Sequence, residues 1–183
     1  MKWFAYVAAP AAAFAVIALV AQEAEAHGPT RQKAEESIVI NAPPAKVWAL
    51  VGDFNGVDKW IPPVEASSAT NGNTVGSVRT LSITGGEKLN EVLESYDAAG
   101  MKLGYKMREP NIKVLPVNNY SSSIAVSAQG ANASKVTWRG AFYRGFMNNN
   151  PPTELNDEAA LKAVSGLYKV SLEKLKKVAE AAK

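Results

Sequence analysis

Across residues 64–146 the sequence alternates between apolar and polar side chains in short runs, and each run breaks at a turn-forming cluster. Successive side chains on a strand point to opposite faces, so this pattern demands strands with one buried and one wet face. Segments 64–70, 75–84, 88–96, 101–108, 118–128 and 135–146 read this way. Asn71-Gly72-Asn73, Gly85-Gly86, Asp97 to Gly100 and Gln129-Gly130-Ala131-Asn132 supply turn chemistry between them. Only residues 109–117, which include two prolines, form a longer link. Short links join antiparallel neighbours. An antiparallel sheet with one wet face must bury the other, and one later segment can cover it. From Asn156 or Asp157 to about Ala182, Leu161, Val164, Leu167, Tyr168, Leu172, Leu175 and Val178 recur at helical spacing. Lys162, Lys169, Glu173, Lys176, Lys177 and Glu180 lie opposite them. Acidic residues open this helix and lysines crowd its end, as its dipole favours.

Upstream, residues 27–36 read as a polar arm, extended or loose, and residues 36–40 as a strand. Asn41 stands where an N-cap belongs, before Pro43 and Pro44, which fit only a first helical turn. Val47, Trp48, Leu50 and Val51 give that short helix its apolar stripe, and residues 54–60 predict a second, closed by Pro62-Pro63. The expected fold class is α+β: a curved antiparallel sheet of about seven strands around a long C-terminal helix, with two short helices after the first strand.

The first 26 residues read as an export signal: Lys2, an apolar run from Trp3 to Val20, and the small-x-small pattern Ala24-Glu25-Ala26. A transmembrane anchor is the rival reading of the same run. Cleavage leaves residues 27–183 as a single domain, placed in the periplasm by the general export route. The formal charge of +3 is mild and diffuse, which argues against nucleic acid and suits an acidic protein partner. With no cysteine and His27 as the one histidine, the chain builds no disulfide, thiolate site, Ser-His-Asp triad or multi-histidine metal centre. No metal site, cofactor or catalytic set is therefore expected. Glu154, Asp157 and Glu158 lack the ligand spacing of a calcium loop and read as helix-opening residues.

Strand parity sorts the remaining candidates. Leu103, Tyr105 and Met107 share one face, with Lys102, Lys106 and Arg108 on the other. Val136, Trp138 and Phe142 oppose Lys135, Thr137 and Arg139, while Tyr120, Ile124 and Val126 oppose Ser121, Ser123 and Ser127. Placing Leu81, Ile83 and Leu93 inward carries Arg79 and Glu91 inward with them. These two either orient a polar group of a ligand or form a structural ion pair. The ligand-pocket candidates are thus Arg79, Glu91, Leu93, Tyr105, Met107, Tyr120, Trp138 and Phe142. Lys102, Lys106, Arg108, Lys135 and Arg139 are the candidate docking face for an acidic partner.

The run Ile38-Val39-Ile40-Asn41-Ala42-Pro43-Pro44-Ala45-Lys46-Val47-Trp48, then Gly52-Asp53-Phe54 and Lys59-Trp60-Ile61-Pro62, resembles the opening of the SRPBCC, or START-like, superfamily. Gly76-Ser77-Val78-Arg79, Asn90-Glu91-Val92-Leu93 and Val136-Thr137-Trp138-Arg139-Gly140 resemble its polyketide cyclase/dehydrase branch. His27-Gly28-Pro29-Thr30, Leu115-Pro116-Val117-Asn118-Asn119-Tyr120 and Asn150-Pro151-Pro152 are similar to the MxaD-type periplasmic proteins of methylotrophic bacteria. The resemblance implies a helix-grip fold and a non-enzymatic role assisting methanol dehydrogenase and its cytochrome c acceptor. Many relatives carry histidine where this chain has Ile61, so a proton-transfer or metal role at that position is lost. Two other functions remain open: a carrier of a small hydrophobic ligand in the cavity, and a cyclase or dehydratase with Glu91 or the tyrosines as its acid–base groups. With no pocket histidine the last has the least support.

Overall fold

A computed structural model describes residues 28–181, and the expected export signal and His27 lie outside them. The first strand, β1 (Gln32–Ile40), begins within the polar arm, which is extended from Gln32 on rather than loose. It pairs with the last strand, β7 (Ser134–Arg144), in register from Gln32 opposite Phe142 to Ile40 opposite Ser134. Its opening is polar because it is an edge strand whose carboxylates meet cations on both faces: Glu35 binds Arg139 on the outer face at 2.8 Å, and Glu36, on the inner side, lies 3.6 Å from Lys169. That polarity hid the strand from a hydrophobic pattern.

Helix α1 (Pro44–Val51) starts from Pro43, whose carbonyl accepts from Lys46 and Val47, with no side-chain cap. Pro44 has no N–H, so one of the donors a cap would satisfy is already missing. Asn41, the expected cap, instead donates its backbone N–H to Glu180 at 2.8 Å. The second short helix expected over residues 54–60 is one 3-10 turn, Val57–Lys59. Asp53 folds over its start, accepting from Asn55 and pairing with Lys59, and so favours a tight turn over a helix.

The other strands are β2 (Val64–Ala69), β3 (Val78–Ile83), β4 (Lys88–Asp97), β5 (Lys102–Met107) and β6 (Val117–Ala128). All seven form one antiparallel sheet in the order β1-β7-β6-β5-β4-β3-β2. Strand β3 starts later than the alternation implied, because Gly72 and Gly76, both at positive φ, prolong the preceding turn. The register slips between Val64 and Ala66, Leu93 and Ser95, and Asn118 and Ser121. Such bulges bend and twist a sheet.

Helix α2 (Asp157–Ala181) packs on the inner face, giving a helix-grip fold. Asn156 Oδ1 accepts the Ala159 N–H at 2.8 Å and caps the helix. Asp157 instead binds Arg144 at the end of β7 at 3.0 Å. The buried stripe is Ala160, Val164, Tyr168, Ser171, Leu172, Leu175 and Ala179. Leu161 is exposed while its neighbour Ala160 is buried, so the buried stripe begins one residue earlier than the apolar spacing implied. Among the described residues no helix is long and apolar enough to cross a membrane.

Candidate functional site

Antiparallel register places Arg79 of β3, Glu91 of β4 and Met107 of β5 in one row across the inner face. Arg79 and Glu91 are 2 % and 5 % exposed. Arg79 Nε donates to Glu91 Oε2 at 2.7 Å and Nη1 to the Phe54 carbonyl at 3.0 Å. The guanidinium lies 4.2 Å from the Phe54 ring centre and 4.6 Å from that of Tyr105. Two aromatic faces thus flank a charge whose burial would otherwise be costly. The loop that delivers Phe54 is held by Asn73, whose Oδ1 accepts the Phe54 N–H at 2.9 Å.

This row borders a cavity of about 290 Å³ between the sheet and α2. Leu81, Ile83, Leu89 and Met107 form its sheet wall, and Ala163 and Leu167 its helix wall. Ile61, Pro63 and Val64 close one side, while Lys113, Val114 and Leu115 of the β5–β6 connection close another. Asn111 anchors that connection by donating to Glu87 Oε2 at 2.9 Å and to the Lys88 carbonyl at 3.2 Å. Lys113 adds an ion pair to Glu87 at 3.3 Å. The Asn111 hydrogen bond, then Lys113, hold the Glu87 carboxyl below its usual pKa.

Beside the ion pair lies a row of hydroxyls. Tyr120 Oη and Tyr168 Oη are 2.6 Å apart, and Tyr168 Oη is 3.3 Å from Ser122 Oγ. Ser122 accepts from Trp138 Nε1 at 2.7 Å and donates to the Arg139 carbonyl at 2.8 Å. With the Ser122 proton so committed, the order Tyr120 to Tyr168 to Ser122 satisfies every donor in the row. The Trp138 ring stacks on Tyr168 at 4.2 Å. Gly140 makes this approach possible: a Cβ there would overlap Tyr168 Oη. Burial, reinforced by the Glu91 charge, pushes the Tyr105 phenol up to about 12, and burial raises Tyr120 and Tyr168 well above the usual tyrosine value. All three are neutral hydroxyls at physiological pH.

Of the eight pocket candidates, Arg79, Glu91, Tyr105, Met107, Tyr120 and Trp138 line the cavity. Leu93 and Phe142 do not. Both point inward as parity requires but are buried in filled core, Phe142 against Tyr120 with ring centres 6.3 Å apart. Sequence reasoning missed Ser122, although its parity with Tyr120 and Ile124 already placed it inward. It took Tyr168 for core alone. The connection residues Lys113, Val114 and Leu115 carry no periodic signal. On the outer face Lys102 and Arg108 are exposed and Lys135 is half-buried. Lys106 pairs with Glu94 at 2.6 Å, and Arg139 makes a two-pronged contact with Glu35 at 2.8 and 3.0 Å. The basic set is thus partly neutralised by its own sheet.

Residues 31–180 match the family model described as polyketide cyclase / dehydrase and lipid transport. Among solved structures, an uncharacterised protein from Bacillus thuringiensis is 30% identical, with a TM-score of 0.68, over 80% of this chain and 98% of that one. The protein XoxI from Bacillus cereus is also 30% identical, with a TM-score of 0.67, over 80% and 94%. The Zhui aromatase/cyclase from Streptomyces sp. R1128 is 19% identical, with a TM-score of 0.68, over 82% and 94%, and shares the fold. No curated protein matches the sequence significantly.

Proposed function

The chain belongs to the polyketide cyclase/dehydrase and lipid transport family, and from that premise we propose that it binds and carries a small, mainly apolar molecule between its sheet and α2. The supporting observation is the cavity itself. About 290 Å³ of space walled by aliphatic side chains, with one ion pair and neutral phenols, falls near the small end of ligand sites. Catalysis is less well supported. Glu91 is engaged by Arg79 at 2.7 Å, and the phenols hold their protons too tightly to act as bases. Loss of a measurable turnover in Glu91→Gln would reverse that ranking. Native mass spectrometry of gently purified protein, with a thermal-shift screen of apolar compounds, tests the carrier reading. A retained or stabilising small molecule is expected; an empty protein that responds to no compound counts against it.

A second reading is the accessory role beside methanol dehydrogenase and its cytochrome c acceptor. Its support is the MxaD-type resemblance and the exposed Lys102 and Arg108 on the outer face. Under it, residues 1–26 are an export signal and residues 27–183 a periplasmic domain. A dehydrogenase-to-cytochrome rate that ignores the added protein at both low and high salt removes it.

A further inference from the structure

The unspent hydrogen-bonding capacity of the ion pair bears on which molecules the cavity accepts. Arg79 uses Nε on Glu91 and Nη1 on the Phe54 carbonyl, so Nη2 has no hydrogen-bond partner among the described residues. Glu91 accepts the Arg79 hydrogen bond on Oε2, which leaves Oε1 in the same condition. Both residues line the cavity. The wall therefore offers the N–H donors of Nη2 beside the acceptor Oε1, from a pair of zero net charge.

The other ionisable groups around the space do not alter that balance. Tyr105 and Tyr120 are phenols, neutral at neutral pH as any tyrosine is, and burial raises their pKa further. At the rim Lys113 is 77% exposed at its side chain and tied to Glu87, so water and its partner screen it.

We infer, on the footing of the carrier reading, that the cavity selects an uncharged ligand whose polar end both accepts and donates a hydrogen bond, a hydroxyl or primary carboxamide on an apolar body. Such a group accepts a hydrogen bond from Arg79 Nη2 and donates one to Glu91 Oε1. A carboxylate reaches Arg79 but brings no proton for Glu91 and is repelled by it. An ammonium satisfies Glu91 but offers no acceptor and is repelled by Arg79. Either ion gives up its hydration for an attraction that the second member of the pair largely cancels.

The test uses the full domain and shape-matched naphthalenes: 2-naphthol, 2-naphthamide, 2-naphthoate, 2-naphthylmethylammonium, and 2-methylnaphthalene as a headless control. Binding is followed by calorimetry at neutral pH. Naphthol and naphthamide are expected to bind on the order of tenfold or more tighter than either ion, a gap of about 1.4 kcal/mol. Glu91→Gln leaves Arg79 uncompensated, so naphthoate should gain on naphthamide by a similar factor. Arg79→Met should favour the ammonium in the same way. Equal or tighter binding of either ion by the unmodified protein overturns the inference without any variant having to fold. If 2-methylnaphthalene binds and the polar ends make no difference, the cavity is a carrier site and only the head-group inference fails. If none of the five binds, the carrier reading fails and the inference falls with it.

Discussion

Adding a single methyl at Gly140 tests how α2 is seated on the sheet. An alanine Cβ there would overlap Tyr168 Oη, sit 3.3 Å from Cζ and 3.5 Å from Tyr120 Cε2. The phenol must swing away, giving up its 2.6 Å contact with Tyr120 and its place on the Trp138 ring. Overpacking a filled core costs about 1–3 kcal/mol. A buried hydroxyl left without its partner adds about 1–3 kcal/mol. Gly140→Ala is therefore expected to lose about 2–4 kcal/mol together, because the swing relieves part of the clash. In a domain of this length that lowers Tm by roughly 5–15 °C. Tyr168→Phe alone loses the hydroxyl and should cost about 1 kcal/mol. The double variant distinguishes this cause from a general intolerance of Gly140 substitution. With no hydroxyl to strike, the new methyl occupies the space it vacated, and only a shift of a few tenths of an ångström remains for the ring. Gly140→Ala/Tyr168→Phe should be about as stable as Tyr168→Phe, a coupling equal to the Gly140→Ala loss of about 2–4 kcal/mol. Urea unfolding of the four proteins measures it. A double variant no more stable than Gly140→Ala, or a Gly140→Ala protein as stable as the parent, refutes the reasoning.

Three further outcomes are expected. Arg79→Met leaves Glu91 buried and alone and should cost about 3–5 kcal/mol by urea unfolding, whereas Arg79→Met/Glu91→Leu should recover most of it. The Tyr105 phenol, raised from 10.0 to about 12, keeps its proton while unfolded tyrosines ionise, so stability should be full below pH 10 and fall above it, with Tyr105→Phe flattening that limb in alkaline unfolding curves. Glu87 titrates below its unfolded value, so its hold on Asn111 and Lys113 is present above the ordinary carboxylate range and lost as pH falls through its folded pKa. Protection of the amides in residues 109–117 should drop over that acid window, and Glu87→Gln should remove the drop.

The fold was legible wherever one physical period dominated. Parity on β5, β6 and β7 placed Tyr105, Tyr120 and Trp138 on the inner face, and the buried positions agree. The same parity carried Arg79 and Glu91 inward on neighbouring strands, and the structure joins them at 2.7 Å. Local polarity misled where tertiary contacts decide. Gln32–Glu35 resembles a polar arm until β7 and Arg139 are beside it, and Leu161 resembles a core position although the buried stripe runs through its neighbour Ala160. The cavity's outer wall was not legible, because residues 113–115 belong to an aperiodic link positioned by Asn111 and Glu87. Parity marks a side chain as inward but gives no depth. Leu93 and Phe142 therefore looked like Tyr105 and Met107, yet the core around them is filled.

Methyl NMR of the domain titrated with 2-naphthamide tests most directly whether the space beneath α2 receives a molecule. Shifts confined to Leu81, Ile83, Leu89, Leu115 and Leu167, with Leu172 and Leu175 unmoved, are the predicted result. Spectra that do not change at saturating ligand, or changes confined to methyls remote from that wall, contradict it.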